Sequence, residues 1–259
     1  MNLDRSPGEA KLSNRRRAEY RSLQRGKGRR ELGQYLIEGV RAMESAVAAG
    51  VPLIDMVVGA ETAVDPRVAR LIEAVDCPVL EASSRDLEAI GNARSSQGIA
   101  AAAQLPETNQ AVTFPCLVLD GIQDPGNVGT LIRTAAWFGI KTVLCGPGTA
   151  DPYQPKVVRS SQGGLWDVSV VCHSAIPAVL AAIAAVPVYV ADLNGNAAAS
   201  WGPEDASALV IGSEAHGPSD ELRERADGAV TIQGVAPSGT ESLNAAVAGG
   251  ILLHRWLGE

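Results

Sequence analysis

After about residue 30, short apolar runs alternate with stretches of helical periodicity along the chain. In the first part of this region, the apolar runs typical of strands lie at 35–37, 54–58, 78–80 and 99–102. Between these runs, apolar residues recur with helical spacing over 39–49, 65–75 and 84–90. Asp65 and Ser84 stand where helix N-caps are expected. The pattern predicts a small α/β unit that ends near Gln104.

The second part of the chain contains longer, almost continuously apolar runs. They predict strands at 116–120, 142–145, 167–171, 188–191, 209–211 and 229–232, with a last helix at 242–257. Continuous apolar strands that alternate with helices indicate a parallel sheet covered on both faces. In such sheets ligands bind at the loops after the carboxyl ends of the strands. Those loops are therefore the places to look for chemistry.

A polar stretch at 105–110 separates the two patterns. We therefore divide the chain into an N-terminal arm (1–30), a small α/β domain (31–105), a linker (106–114) and a larger α/β domain (115–259). The sequence shows no internal repeat at a fixed period.

Composition excludes several classes of protein. Hydrophobic residues make up 46% of the 259 positions, which is enough for a sizeable core. No run of about 18 apolar residues predicts a membrane span, and the start lacks the apolar segment of a secretory signal. The four cysteines are far apart in apolar settings and predict buried, reduced thiols in a cytoplasmic protein. The three histidines form no i, i+4 pair, so a metal site is not expected.

Charge is distributed unevenly along the chain. Residues 1–30 contain ten Lys or Arg and three acids, a net charge of +7, whereas the other 229 residues contain twelve bases and 26 acids, a net charge of −14. A basic arm on an acidic body is typical of a protein that contacts the phosphates of a polyanion. A solvated tail that binds nothing and an interrupted transit peptide are the alternatives.

One candidate loop runs from Asp124 into an apolar helical stripe formed by Val128, Leu131 and Ile132. Asn127 is placed to cap that helix. Arg133 lies off the stripe, and a guanidinium near a helix N-terminus suits a phosphate. The alternative is an ordinary cap followed by a surface arginine.

Three further loops follow predicted strands. The strand at 209–211 runs into Gly212-Ser213-Glu214, where glycine lets backbone amides approach a flat ligand closely. After the strand at 229–232, Ser242 is placed to cap a helix rich in small residues, including Gly249 and Gly250, which indicates that another backbone packs close to it. A fourth polar turn occupies 190–196. Each of these could instead be a simple turn or cap.

Other motifs are absent. The sequence lacks a GxxxxGK[ST] phosphate loop, a GxGxxG dinucleotide fingerprint and a GxSxG nucleophile elbow. These absences argue against a P-loop nucleoside triphosphatase, a dinucleotide-dependent enzyme and a hydrolase with a catalytic triad.

Taken together and in order, 127–135, 211–217 and 241–244 resemble the three motifs of the SpoU (TrmH) family, which belongs to the SPOUT superfamily of RNA methyltransferases. The resemblance extends over 115–257. Residues 33–104 are similar to the L30e-like RNA-binding domain that many members carry in front, especially in the opening at 35–41.

The resemblance implies an α/β fold in which the parallel-sheet domain contains a deep trefoil knot. It also implies a homodimer formed through that domain, with the site near the interface. A knotted chain needs close backbone approach, which would account for the small residues of the last helix.

The resemblance further implies S-adenosylmethionine as the methyl donor, held mainly by backbone groups around Gly212, Ile232, Leu243 and Leu193. The residues that carry over as the catalytic set are Arg133, Asn127, Glu214, Ser242 and Asn244. The expected contacts to RNA are Arg15, Arg16, Arg17 and Arg41.

The implied reaction is the in-line attack of a ribose 2'-hydroxyl on a methyl group. The family proposal makes the motif arginine the base, but the pKa of an arginine lies above about 12. We therefore expect Arg133 to clamp a phosphate and orient the hydroxyl, with the proton passing late to Arg133, to water or to a phosphate oxygen. Structured RNA is the expected substrate, ribosomal RNA before tRNA. The alternatives are a catalytically silent RNA-binding relative and a nucleotide-dependent enzyme of another class.

Overall fold

The computed structural model of the chain describes residues 10–91, 97–107, 111–234 and 241–258. The first helices and strands are β1 (Ala10–Lys11), α1 (Asn14–Ser22), α2 (Gly26–Leu32), β2 (Gln34–Glu38), α3 (Val40–Ala48), β3 (Leu53–Gly59), α4 (Ala60–Ala63), α5 (Pro66–Ala74), β4 (Val79–Ala82), α6 (Ser84–Ile90) and β5 (Ile99–Gln104).

The elements that follow are β6 (Cys116–Asp120), α7 (Pro125–Trp137), β7 (Thr142–Cys145), α8 (Pro155–Ser160), β8 (Ser169–Cys172), α9 (Ile176–Ala182), β9 (Val188–Ala197), β10 (Ala208–Gly212), α10 (Asp220–Arg225), β11 (Gly228–Thr231) and α11 (Ala245–Leu257). Two short 3-10 helices lie at Gly164–Trp166 and Ala198–Ser200.

The chain forms two compact units. The N-terminal unit comprises Met1–Pro106 together with Tyr153–Trp166, and the C-terminal unit comprises Glu107–Pro152 together with Asp167–Glu259. The segment Tyr153–Trp166 therefore belongs to the N-terminal unit by its contacts, whereas the sequence pattern placed it in the larger domain. Within the N-terminal unit, Trp166 Nε1 donates to the Tyr35 hydroxyl at 2.8 Å, and Arg159 pairs with Glu38.

The N-terminal unit contains a mixed five-stranded sheet in the order β1-β4-β3-β5-β2. Strand β5 is antiparallel to both of its neighbours, and the other pairings are parallel. Helices α1 and α6 cover one face, because Tyr20, Leu23 and Ile90 are fully buried in one cluster with side chains of the sheet.

Part of the predicted N-terminal arm is built into this core. The Tyr20 hydroxyl donates to Asp55 Oδ1 at 2.7 Å and accepts from the backbone amide of Ala102 at 3.0 Å. Aromatic burial and satisfied hydrogen bonds fix α1 against the sheet. The prediction of a separate arm is therefore wrong for residues 10–30, and residues 1–9 lie outside the described residues.

The C-terminal unit contains a six-stranded sheet in the order β11-β9-β10-β6-β7-β8. All five pairings are parallel, which confirms the predicted parallel-sheet α/β domain. The two central strands β6 and β10 are buried along their whole length, as their continuous apolar sequences indicate.

Helices α7 and α11 pack closely against each other in this unit. A Cβ placed on Gly249 would lie 2.3 Å from Leu131 Cδ2, so this glycine makes room for a side chain and not for the backbone that the sequence predicted. A Cβ on Gly250 would lie 3.8 Å from Thr134 Cγ2, an ordinary contact. The close approach is thus confined to Gly249.

Three of the four cysteines are buried, but Cys172 is exposed, so the prediction of four buried thiols is wrong at that position. Cys172 ends β8, the edge strand of the sheet, which leaves one side of it uncovered. Within the described ranges, the helices are all too short or too polar to cross a membrane.

Candidate active site

The site is built on four neighbouring strands of the parallel sheet. Strands β11, β9, β10 and β6 lie side by side, and Gly212 pairs with Asp120 where β10 and β6 end. Because parallel strands end at the same edge, the loops that follow them meet there.

The loop after β6 leads directly into α7. Asp124 caps this helix, since its carboxylate accepts from the amides of Gly126 and Asn127 at 2.7 and 3.0 Å. The prediction that Asn127 is the cap is therefore wrong. Pro125 at the first helical position favours the earlier start. Asn127 consequently lies in the first turn, where its side chain is available for other contacts.

The loop after β10 forms a tight turn. The backbones of Ser213 and Gly217 hydrogen bond to each other at 2.8 and 3.1 Å, which leaves Glu214 exposed on the turn. Gly212 allows this geometry, because a Cβ there would lie 2.0 Å from the nitrogen of Pro218. The turn thus holds the Glu214 carboxylate beside the start of α7.

The three motifs meet through a chain of hydrogen bonds. Asn127 Nδ2 donates to Glu214 Oε1 at 2.7 Å, and Asn244 Nδ2 donates to Asn127 Oδ1 at 3.0 Å. Asn244 Oδ1 in turn accepts from the amides of Ala246 and Val247 at 2.9 and 3.3 Å and so caps α11. Asn244, not Ser242, is therefore the N-cap of the last helix. We refer to Asn127, Glu214 and Asn244 as the polar triad.

The other two predicted catalytic residues are not part of this network. Arg133 lies on the exposed side of α7, two turns after Asn127, and forms no hydrogen bond or ion pair with any residue that the structure describes. Ser242 is exposed just before α11. Both side chains are accessible from solvent.

The predicted cofactor residues lie on the loops and strand ends of the same edge. Gly212 is buried at the end of β10, and Ile232 is half-buried directly after β11. Leu193 and Leu243 are exposed to 68% and 46%. Exposed large aliphatic side chains on two of these segments provide an apolar surface beside backbone polar groups.

Two structural contacts of this edge were not predicted from the sequence. Asp120, buried at the end of β6, accepts from the backbone amide of Ser219 at 2.6 Å and ties the loop after β10 to its neighbour strand. Arg223 on α10 donates to the carbonyls of Pro218 and His216 at 2.9 and 3.1 Å and pairs with Asp192. The acid at the end of an apolar strand was the available signal for Asp120.

The four arginines expected to contact RNA differ in the carboxylates that they pair with. Arg16 donates to both carboxylate oxygens of Asp55 at 2.7 and 2.9 Å and also bonds Glu19. Burial by itself lowers the pKa of the Arg16 guanidinium, but the hydrogen bonds and charges of these two carboxylates outweigh it and raise the pKa. Arg17 pairs with Asp86, and Arg15 with Glu19. Arg41 is exposed on α3.

Comparison with known proteins places this geometry in a family. The model of the SpoU rRNA methylase family matches residues 115–254, and that of the MRM3-like substrate binding domain matches residues 14–101. The chain is 32% identical over 248 residues, covering 95% of this chain and 97% of the relative, to the 23S rRNA (guanosine(2553)-2'-O)-methyltransferase RlmP of Bacillus subtilis.

Two solved structures share the whole fold. A TrmH-family protein from Porphyromonas gingivalis is 33% identical with a TM-score of 0.84, covering 95% of this chain and 98% of that one. The SpoU methyltransferase AviRb from Streptomyces viridochromogenes, in complex with AdoMet, is 25% identical with a TM-score of 0.86, covering 94% and 97%. The chain therefore belongs to the SpoU rRNA methylase family, which confirms the resemblance drawn from the three motifs.

Proposed function

We propose that the protein transfers a methyl group from S-adenosylmethionine to a ribose 2'-hydroxyl of ribosomal RNA. The polar triad is the observation that carries this proposal. Asn127 is 87 positions from Glu214 and 117 positions from Asn244 along the chain, yet the three side chains meet at the edge of the sheet where ligands bind. The SpoU rRNA methylase family and the name of the relative RlmP, an rRNA 2'-O-methyltransferase, both support this activity.

The residues at the edge fit the methyl donor. Leu193, Ile232 and Leu243 offer aliphatic surface for a flat adenine ring, and the bend at Gly212 leaves backbone groups to bond its polar edge. The relative AviRb was crystallised with AdoMet. When bound here, S-adenosylmethionine supplies the methyl group as an electrophile.

The triad orients groups rather than supplying a mobile proton. Asn244 is held by the helix it caps, Asn127 is held by Asn244, and the Asn127 amide points its donor at Glu214. A side chain fixed at both ends is preorganised for the substrate. We assign the triad the role of positioning the ribose against the methyl donor.

Arg133 is the group we assign to the RNA phosphate. Its exposed guanidinium has no partner among the described residues, and a bidentate guanidinium matches a phosphate. Since a guanidinium has hydrogen-bond donors and no acceptor, we assign it a clamping role and leave the 2'-hydroxyl proton to water or a phosphate oxygen.

We further propose that the protein acts as a homodimer. Helices α7 and α11 pack together, and both expose large apolar side chains. Trp137 is 83% exposed on α7, and Val247 and Ile251 are 51% and 41% exposed on successive turns of α11. The family resemblance implies that a second copy of the chain covers this apolar surface.

We also propose a cytoplasmic location. The bacterial relative RlmP is named as a 23S rRNA methyltransferase, which favours that location.

The test is transfer of a radiolabelled methyl group from S-adenosylmethionine to total RNA from cells that lack the protein. We expect label in ribosomal RNA, and after alkaline hydrolysis the label remains in dinucleotides, because a 2'-O-methyl group protects the 3' phosphodiester bond. Label in tRNA would correct the substrate, and no label despite binding of S-adenosylmethionine would favour an RNA-binding relative.

Arg133→Ala is expected to lower transfer by more than about 100-fold, because the substrate loses its orienting contact. Arg133→Lys keeps the charge but not the two-pronged geometry, so it should remain at least tenfold impaired. Lys141→Ala, which removes one exposed charge from the same unit, is the matched control. Near-full activity of Arg133→Lys would contradict the clamp.

A further inference from the structure

The N-terminal unit has a groove that the proposed methyl transfer does not use. It encloses about 700 Å³ between α1, α2 and the end of α6. Its charged lining residues are Arg21, Arg25, Lys27 and Glu31. Three cations against one carboxylate make this groove electropositive, in a chain whose total charge is −7.

Two of these cations have no carboxylate partner among the described residues. Arg21 and Arg25 are exposed, and the structure gives them no ion pair with any residue in the described ranges. Lys27 lies 3.7 Å from Glu31, but both side chains are largely exposed, so this pair is weak. The two guanidinium groups are therefore free to bind an anion.

Three other cations of the same segment are used by the fold. Arg16 and Arg17 pair with carboxylates, and the guanidinium of the buried Arg29 donates to the Leu23 carbonyl at 2.7 Å. The basic segment therefore contains a structural set, Arg16, Arg17 and Arg29, and a free set, Arg21 and Arg25 with the weakly paired Lys27. The free set lines the groove.

The walls of the groove are fixed in place. A Cβ on Gly28 would lie 2.2 Å from the Ser22 carbonyl oxygen, which shows how closely α2 abuts α1. Gln24 Nε2 donates to the Ile90 carbonyl and ties the turn between these helices to α6. A preformed surface loses little conformational entropy on binding.

We propose that this groove binds the phosphate backbone of the RNA substrate, with Arg21 and Arg25 as the principal contacts and Lys27 as a third. Small-molecule sites are mostly apolar, whereas these lining cations suit successive phosphates. The groove lies within the stretch that matches a substrate binding domain. The inference rests on the proposed function and moves the predicted RNA contacts from Arg15, Arg16 and Arg17 to this free set.

The test compares Arg21→Ala, Arg25→Ala and the double variant with the wild-type protein in binding to transcribed 23S rRNA at several salt concentrations. We expect the double variant to lose at least about tenfold in affinity at 0.1 M salt. The magnitude of the slope of log affinity against log salt should fall by roughly 1.4 to 1.8, since two contacts are lost and each contributes about 0.7 to 0.9.

Arg70→Ala is the matched control, because it removes an exposed arginine from α5, which lies outside this groove. The double Lys variant, Arg21→Lys with Arg25→Lys, should keep the salt slope and so separates lost charge from lost folding. Methyl transfer at saturating RNA should be unchanged in the double Ala variant, with only the KM for RNA raised.

Wild-type affinity and salt slope in the double Ala variant would overturn the groove assignment and leave the methyltransferase proposal standing. A wild-type protein that bound polyglutamate as tightly as RNA, with both lost in the double variant, would overturn the assignment to RNA. If none of these proteins, wild type included, transferred a labelled methyl group to RNA, the proposed methyltransferase function would instead be wrong.

Discussion

At the scale of single residues, Asn127 is the point where three distant stretches of chain converge. Its amide donates to Glu214 and accepts from Asn244, so both of its polar atoms are used. Neither a carboxylate nor an aliphatic side chain can serve both partners. The identity of this residue is therefore set by its neighbours and not by helix capping, which Asp124 performs.

Asn127→Asp is expected to lower methyl transfer by about 100-fold, because it places two carboxylates 2.7 Å apart and displaces Glu214. Adding Glu214→Gln restores a donor across the same contact, so the double variant should recover part of the activity. Transfer rates and melting temperatures of the two single variants and the double variant measure the coupling. Strictly additive effects would show that the contact does not matter to the reaction.

The two kinds of arginine in the N-terminal unit also belong to this scale. Arg16 and Arg25 are the same residue type nine positions apart, yet one is held by Asp55 and the other lines a groove. Asp55 lies on β3, far along the chain. A single sequence does not show which arginine meets that carboxylate, so two of the predicted RNA contacts, Arg16 and Arg17, fell on residues that pair with carboxylates inside the unit.

At the scale of helices and strands, most boundaries followed from local chemistry. The strands β6 and β7 and the helix α6 lie where the apolar pattern placed them. Starts of helices did not follow from the pattern alone, because several residues with capping side chains stand close together. At α7 and α11 the caps are Asp124 and Asn244 instead of Asn127 and Ser242.

The packing of α11 on α7 gives a prediction with a built-in control. Gly249→Ala should lower the free energy of unfolding by about 1–2 kcal/mol, because the new Cβ meets the buried Leu131 side chain at 2.3 Å and this strain exceeds the gain in helix propensity. Gly250→Ala has room at 3.8 Å and should raise it by up to about 1 kcal/mol.

Urea unfolding of the two variants, followed by far-UV circular dichroism, measures both changes. Equal stabilisation by the two alanines would mean that α11 and α7 are farther apart than the structure shows.

At the scale of the whole molecule, the exposed apolar side chains of α7 and α11 bear on assembly. Trp137→Glu and Ile251→Glu place a charge on that surface and should convert the proposed dimer to a monomer, because burying an unpaired carboxylate costs several kcal/mol. Sedimentation velocity measures the change in mass. Val64→Glu, on an exposed apolar residue of the N-terminal unit, is the control.

A wild-type protein that sediments as a monomer at all concentrations would contradict the dimer. The trefoil knot that the family resemblance implies stays a prediction, as does the division of the chain into domains at residues 105 and 115.

By itself, the sequence determined the α/β class, the parallel sheet, the three motifs and the family, because these depend on periodicity and on short ordered patterns that are local in the chain. Only the tertiary structure determined which side chains contact one another. It joined Asn127 to Glu214 and Asn244, built residues 10–30 into a core, and separated structural from free arginines. Contacts between residues tens of positions apart depend on how the strands are ordered, and one sequence does not encode that order in any local signal.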